Sequence, residues 1–198
     1  MNRLQELVEQ IRKLEKELYA ELQKKQDEFY YQIKGRRVYF EAATRRYHKT
    51  LVTRLHTYLG EAQLLNILTI PFIWGCLLPA LLLDLTVTIF HRLCFPIYKI
   101  PPVRRGDYIV IDRHALTYLN IIEKINCVYC GYFNGLLSYV QEIAARTEQY
   151  WCPIKHARRQ AALHSRYQKF LEYGDAEGYR RKLEEVRQDF HDLDSKLL

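Results

Sequence analysis

From Gln63 to Leu83 the chain carries no charged residue, and only Asp84 interrupts the apolar run before His91 and Arg92. About 20 such residues suffice for a helix that crosses a bilayer, so membrane contact is the first expectation. Pro71, Gly75 and Pro79 divide the run, and a proline inside a helix removes a hydrogen bond and bends the rod. Each half is too short to cross alone. The expected form is therefore a re-entrant or interfacial helical hairpin, with a single kinked span and a fully buried core helix as the alternatives. Arg45, Arg46, Lys49 and Arg54 precede the run, and Arg92, Lys99, Arg104 and Arg105 lie within or follow it. Positive charge at both ends selects neither for the far side, which points to both ends on the cytoplasmic side of a membrane. Asp84 is expensive in lipid and should face protein, water or the headgroup boundary.

Helical arms flank this segment. Leu4, Val8, Ile11, Leu14, Leu18 and Leu22 recur at steps of three or four among Lys, Glu and Gln, with Phe29 and Ile33 extending the stripe. After Gly35 a second helical reading, rich in Arg and Tyr, runs over residues 36 to 60. At the other end, Tyr179, Leu183, Val186, Phe190, Leu193 and Leu197 step by four and three after Gly174-Asp175, a heptad seam. Such arms can pair with each other, with a second copy or with a partner protein, or pack on their own domain.

Residues 95 to 113 read as a connector. Pro96, Pro101 and Pro102 keep it extended, and Tyr108-Ile-Val-Ile111 suits a short buried strand ahead of Asp112, a candidate helix cap. The fold class is thus mainly α, a helical domain with a kinked apolar hairpin or span, a short strand near 108–111 and amphipathic arms at both ends. Four segments follow: an arm over 1–60, the apolar segment over 61–95, a Cys/His-containing helical domain over 96–170 and a heptad helix over 171–198.

Within the third segment, Cys127-Val-Tyr-Cys130 and Cys152-Pro-Ile-Lys-His156 offer three thiols and one imidazole. Those ligand types at those short spacings are what a tetrahedral Zn2+ site uses, and Gly131 would let the backbone turn tightly round the ion. The alternatives are iron, or no metal at all with the cysteines as small core residues or a redox dithiol. Glu123 falls in helical register with Cys127 and Cys130, and Glu148 with Cys152 and His156, as candidate further ligands or bases. His114 beside Asp112 is a weaker catalytic candidate, since no nucleophile stands next to it in any known motif. Phosphate loops, HExxH and dinucleotide fingerprints are absent.

Asp107-Tyr-Ile-Val-Ile-Asp-Arg-His114, Tyr118-Leu-Asn120, Glu123-Lys-Ile-Asn-Cys-Val-Tyr-Cys130 and Ala145-Arg-Thr-Glu-Gln-Tyr-Trp-Cys-Pro-Ile-Lys-His156 together resemble a bacterial family of uncharacterised membrane-associated proteins. The resemblance covers roughly residues 70 to 160. It implies that the cysteines act together and brings no activity with it.

Charge and cysteine usage narrow the partners. Lys and Arg number 30 against 23 Asp and Glu, and the net +7 favours an anionic membrane surface. Nucleic acid is the less favoured partner for the cluster Lys155, Arg158, Arg159, Arg166 and Lys169. Five cysteines cannot all pair internally, and the opening Met1-Asn-Arg-Leu-Gln-Glu-Leu7 reads as helix, not as a signal peptide, so a reducing, cytosol-facing location is expected. The functional expectation is a membrane-associated, cytosol-facing metal-binding adaptor or scaffold with structural zinc. The alternative is a membrane-associated metalloenzyme or thiol/iron redox protein using Cys127, Cys130, Cys152 and His156.

Overall fold

The Asp84 carboxylate, on the apolar run, meets Arg105 and Tyr132 from elsewhere in the chain, and the packing around it organises the larger of two units. The structure, a computed structural model, describes residues 3–35, 37–60 and 63–194. One unit is formed by residues 1–61 and 112–128, the other by 62–111 and 129–198. The chain is mainly α-helical, with a single two-stranded sheet among the described residues.

In the first unit, helix α1 (Arg3–Glu28) leaves Ile11, Leu14, Leu18 and Leu22 uncovered on its apolar stripe. Leu4 and Val8 belong to the same helix, with side chains outside the described ones. The stripe does not extend through Phe29 to Ile33, because Tyr30 takes a left-handed conformation (φ 54°) and the chain turns into a hairpin. Strands β1 (Tyr31–Lys34) and β2 (Arg37–Phe40) pair antiparallel, Tyr31 opposite Phe40 and Lys34 opposite Arg37, round a tight turn with Gly35 at φ +62°. Aromatic and β-branched residues alternating about a glycine turn carry this preference, which outweighs the helical reading of the segment from 36 onwards. Helix returns only as α2 (Ala42–Thr50) and the short α3 (Leu55–Gly60). His48 of α2 sits edge-on to Phe40 and to Tyr118, ring centroids 5.4 and 5.3 Å away.

In the second unit, α4 (Leu64–Gly75) and α5 (Leu77–Tyr98) form one rod bent by 21°. The helix is interrupted where Cys76 bonds Ile73 in a tighter turn (3.2 Å) and where Pro79, lacking an N–H, cannot donate to the carbonyl four residues back. The expected hairpin is therefore not formed; a bend of this size does not reverse the chain. Leu64–Tyr98 is the one helix among the described residues long and apolar enough to cross a membrane.

Helix α5 has two faces. Leu77, Ala80, Asp84, Val87, His91, Cys94 and Tyr98 step alternately by three and four along the inner one. They meet α7 (Ile121–Trp151), where Tyr132, Gly135, Tyr139, Glu142, Arg146 and Gln149 repeat the same steps. Asp84 accepts from Tyr132 (2.8 Å), His91 lies 3.3 Å from Tyr139, and Tyr98 stacks on Tyr150 at 5.0 Å. Contacts that rise together along both helices mean the two run parallel. The outer face carries Leu78, Leu81, Leu82, Leu85, Ile89, Leu93 and Ile97, all 50–77% exposed, and one charged residue, the exposed Arg92.

Parallel helices need a long return connection. Lys99 (φ 56°) turns the chain, and residues 99–111 run back along the pair as a strap. Ile100 donates to Phe95 (2.9 Å), Val103 to the His91 ring (2.9 Å), and Arg105 to Asp84. Tyr108 closes the single-turn helix α6 (Arg105–Tyr108), and Ile109 beyond it is extended but unpaired, so no strand forms over 108–111. The strap crosses α7 over Gly131 and Gly135, one helical turn apart. A Cβ on Gly135 would stand 2.7 Å from the Tyr108 carbonyl oxygen and 2.8 Å from the Ile109 Cα, closer than backbone permits. Gly131 thus makes room for the Val110 carbonyl and turns round no ion.

The C-terminal segment folds back on this unit. Asp175 caps α8 (Ala176–Gln188) by accepting from Gly178 (2.8 Å). The helix stops at Gln188, and Phe190 enters the core with Ala80, Phe95, Ile100, Val103, Leu136, Tyr139 and Ile143, followed by the single turn α9 (His191–Asp194). The heptad seam from Tyr179 is therefore broken before Phe190, and no coiled coil continues through it; Leu197 lies outside the described residues. Burying Phe190 outweighs continuing a solvated helix.

Gly135→Val should destabilise the fold by about 2 kcal/mol, lowering the melting temperature by several degrees, because the strap backbone cannot yield cheaply. Gly131→Ala should cost less, and Gly60→Ala, with open space at its Cβ, should cost nothing of that kind. Thermal unfolding of the three variants in detergent checks the order.

Candidate functional site

The cysteine and histidine pairs do not meet. Cys127 and Cys130 lie on α7, while Cys152 and His156 follow its end. The helix is unbroken between them, and 1.5 Å of rise per residue separates Cys130 from Cys152 by roughly 30 Å. Among the described residues no group of three or more His, Cys, Asp or Glu could hold a metal ion. This overturns the zinc-binding adaptor and the iron or thiol-redox enzyme that used the four residues together. All five cysteines are free thiols.

Each secondary candidate has a local structural partner or none. Asn120 Oδ1 accepts from the Glu123 N–H (3.0 Å) and Glu123 Oε2 accepts from the Asn120 N–H (2.8 Å), a reciprocal capping box that starts α7. Asn-x-x-Glu ahead of an apolar run was a legible signal for it. Asp112, by contrast, makes no capping bond, and His114 lies exposed in the 3-10 turn Arg113–Ala115. Glu148 faces the His164 ring (Nε2 to Oε2 3.2 Å), and His156 is exposed, its N–H donating to Tyr167 Oη (3.1 Å).

The polar groups that do converge lie along the seam between α5, α7 and the strap. Asp84 takes a two-pronged pair from Arg105, with Nη2 to Oδ2 at 2.6 Å, and further bonds from Tyr132 and from Thr88 (3.3 Å). Every lone-pair direction of the carboxylate thus has a donor nearby, the condition for keeping its charge beside apolar side chains. Because His91 Nε2 accepts from the Val103 N–H, the neutral ring carries its proton on Nδ1 and donates to Tyr139. Burial raises the Tyr139 phenol above its ordinary range, so it stays protonated at neutral pH.

Beyond the seam lies a cleft of about 350 Å³ lined by Pro101, Pro102, Arg104, Asp107, Tyr108, Glu142, Arg146, Ser165, Arg166, Asp192 and Leu193. Its buried charges are already matched. Arg146 pairs with Glu142 (2.8 Å) and donates to the carbonyls of Pro101 (2.8 Å) and Pro102 (3.1 Å), fixing the start of the strap. Ser165 donates to the other Glu142 oxygen (2.6 Å), so that carboxylate is engaged on both sides. Arg166, 2% exposed, holds Gln149 (2.6 Å), Asp192 (2.6 and 3.0 Å) and the Asp189 carbonyl (2.9 Å). Lys169 pairs with Asp189 and Asp192, and Lys155 with Glu172, so three of the five basic residues of the cluster Lys155, Arg158, Arg159, Arg166 and Lys169 are engaged within the chain. These groups clamp chain segments together, and none is left poised as a nucleophile or base.

No protein-family model, curated protein or solved structure matches this chain.

Burial works to raise the Asp192 carboxyl, but hydrogen bonds and charge from Arg166 and Lys169 outweigh it and hold the group far below the usual carboxylate range. An unfolded Asp titrates near 4, so the pairing contributes in full above that pH and is lost as acid drives the value down toward the folded one. Stability should therefore fall on acidification below about pH 4, and Asp192→Asn should flatten part of that limb. Unfolding midpoints measured across acidic pH check this; an unchanged slope in the variant would contradict it.

Proposed function

We propose that this is a monotopic membrane protein, seated in one leaflet by α4 and the outer face of α5, with both ends on the cytoplasmic side. The observation that carries the reading is the two-sidedness of the second unit. At the level of Asp84 to His91, one side presents Leu81, Leu82, Leu85 and Ile89, and the other presents the exposed strap charges Arg104, Arg105 and Asp107.

That arrangement favours lying in the plane over crossing. A crossing limited to Leu64–Leu83 would leave Leu85, Leu93 and Ile97 in water, while a deeper one would carry Arg104, Asp107 and the irregular strap backbone into hydrocarbon. Irregular, lipid-exposed backbone is not tolerated there. An in-plane α5 suits both sides, its apolar face in the acyl boundary with the long Arg92 side chain reaching up to the headgroups, and its strap in water. Helix α4 has no buried residue and only Asn66 and Thr69 interrupt its apolar surface, which suits a segment dipping below the headgroups. Its 12 residues span roughly 18 Å, short of the ~30 Å hydrocarbon core.

Magnitudes support the same conclusion. Fully burying one Leu, Ile or Phe is worth about 1.5–3 kcal/mol, so the exposed side chains of α4 and α5 together represent on the order of 10 kcal/mol or more if left in water. This rivals the ~5–15 kcal/mol that holds a whole domain together. Basic residues at both flanks agree with cytoplasmic retention of both ends.

The protein should resist alkaline extraction from membranes, and reporters fused to the two ends should occupy the same, cytoplasmic compartment. Leu82→Glu, Leu85→Glu and Ile89→Glu together should weaken the attachment, raising the fraction released by alkaline extraction. Reporters in opposite compartments would replace the monotopic reading with a crossing one.

A further inference from the structure

The chain's positive charge is not spread evenly. Residues 29–60 hold seven Lys and Arg against the single acid Glu41, nearly the whole of the net +7. Lys34 and Arg37 stand at the tip of the β1–β2 hairpin, Arg45, Arg46 and Lys49 on α2, and Arg54 just beyond it, and all six are exposed. Among the described residues none of them makes an ion pair; Arg46 only donates to the Ala42 carbonyl within its own helix (3.4 Å). On α1, by contrast, Lys13, Lys24 and Lys25 each have an acidic partner three or four residues away.

An unneutralised cluster works against the fold that carries it. Arg45 and Lys49 are like charges at i and i+4, a pairing that destabilises a short helix instead of supporting it. Exposed aromatics accompany the charges, Tyr30 at 57%, Tyr39 at 48% and Tyr47 at 63%. Tyrosine with Lys and Arg is the combination favoured at the headgroup level of a bilayer, where the ring is half solvated and the cation meets phosphate. The chain is also tethered there, since α3 ends at Gly60 and the apolar α4 begins at Leu64.

We infer that the β1–β2 hairpin and α2 form an electrostatic docking surface for anionic phospholipid headgroups, a second membrane contact separate from the apolar insertion. The inference builds on the monotopic reading. Insertion of α4 and α5 supplies affinity for any bilayer and is insensitive to salt. The basic surface supplies a preference for anionic lipid, at about 1 kcal/mol per Lys or Arg near the surface, that fades within a Debye length.

The test partitions the full chain, diluted from detergent, between buffer and vesicles of phosphatidylcholine alone or with phosphatidylglycerol, at low and high salt. The wild type should bind both, with an added preference for phosphatidylglycerol that disappears at high salt. Arg45→Gln, Arg46→Gln and Lys49→Gln together should cut that preference by about 100-fold while leaving phosphatidylcholine binding in place. Lys34→Gln with Arg37→Gln, which leaves α2 untouched, should cut it by roughly 30-fold, and Arg45→Lys with Arg46→Lys should retain it. Equal partition of wild type and Gln variants into phosphatidylglycerol would overturn the inference, as would tighter, charge-dependent binding to a single-stranded oligonucleotide than to the anionic vesicles. Loss of phosphatidylcholine binding with a surviving, Gln-sensitive preference for phosphatidylglycerol would instead contradict the monotopic insertion and leave the basic surface standing.

Discussion

Asp84 is acceptable in a helix that is otherwise apolar because Arg105, Tyr132 and Thr88 surround its carboxylate with donors. The rest of the second unit depends on that pairing. It fixes the inner face of α5 against α7, and it pulls the strap back along the helices so that Val103 can reach His91 and Tyr108 can cross Gly135. With the inner face committed, the outer face is left exposed among the described residues. Breaking such a pair by removing one partner costs more than never having formed it, since the remaining charge keeps its desolvation penalty.

A second consequence concerns direction. Two helices joined by a short turn run antiparallel and can cross a bilayer as a hairpin. Here α5 and α7 run parallel, and the connection must travel back through water-facing, charged chain. Arg146 closes the start of that connection through the Pro101 and Pro102 carbonyls, and Arg166 closes the C-terminal segment through Asp192 and the Asp189 carbonyl. These arginines tie the polar side together, and the side opposite is left apolar. In the proposed reading, membrane attachment is thus a property of the packing as well as of composition.

Much of this was legible in the sequence, and the failures have physical causes. The apolar run, its bend near Pro79 and the mainly helical class follow from composition and proline chemistry. The expected hairpin did not form, because a proline near a helix start bends a rod by tens of degrees without turning it back. The Cys and His spacing suggested a metal site because ligand distances were counted along the chain. The helical period of Tyr132, Leu136, Tyr139 and Ile143 runs straight through the gap, leaving no loop to bring the two pairs together. Gly131-x-x-x-Gly135, a pattern that admits close backbone approach, was the stronger signal in that stretch. The hairpin at Gly35 was hidden because Phe29 and Ile33 also fit the helical stripe before them, and only the turn residue separates the two readings. Phe190 broke the C-terminal seam for a reason no local pattern holds, its place in a core assembled from distant segments.

The most direct test of the central claim is the depth of single sites along α5 and the strap. With the five native cysteines replaced by Ser, spin labels at Leu82→Cys, Leu85→Cys, Ile89→Cys and Leu93→Cys in lipid vesicles should all collide with oxygen and be shielded from a water-soluble nickel reagent. Labels at Arg104→Cys and Asp107→Cys should show the reverse. Depth along α5 should change little from Leu82 to Leu93. A depth that increases steadily to the bilayer centre and falls again would mean that the helix crosses the membrane, and water exposure of all six sites would mean that the apolar face is covered by protein instead of lipid.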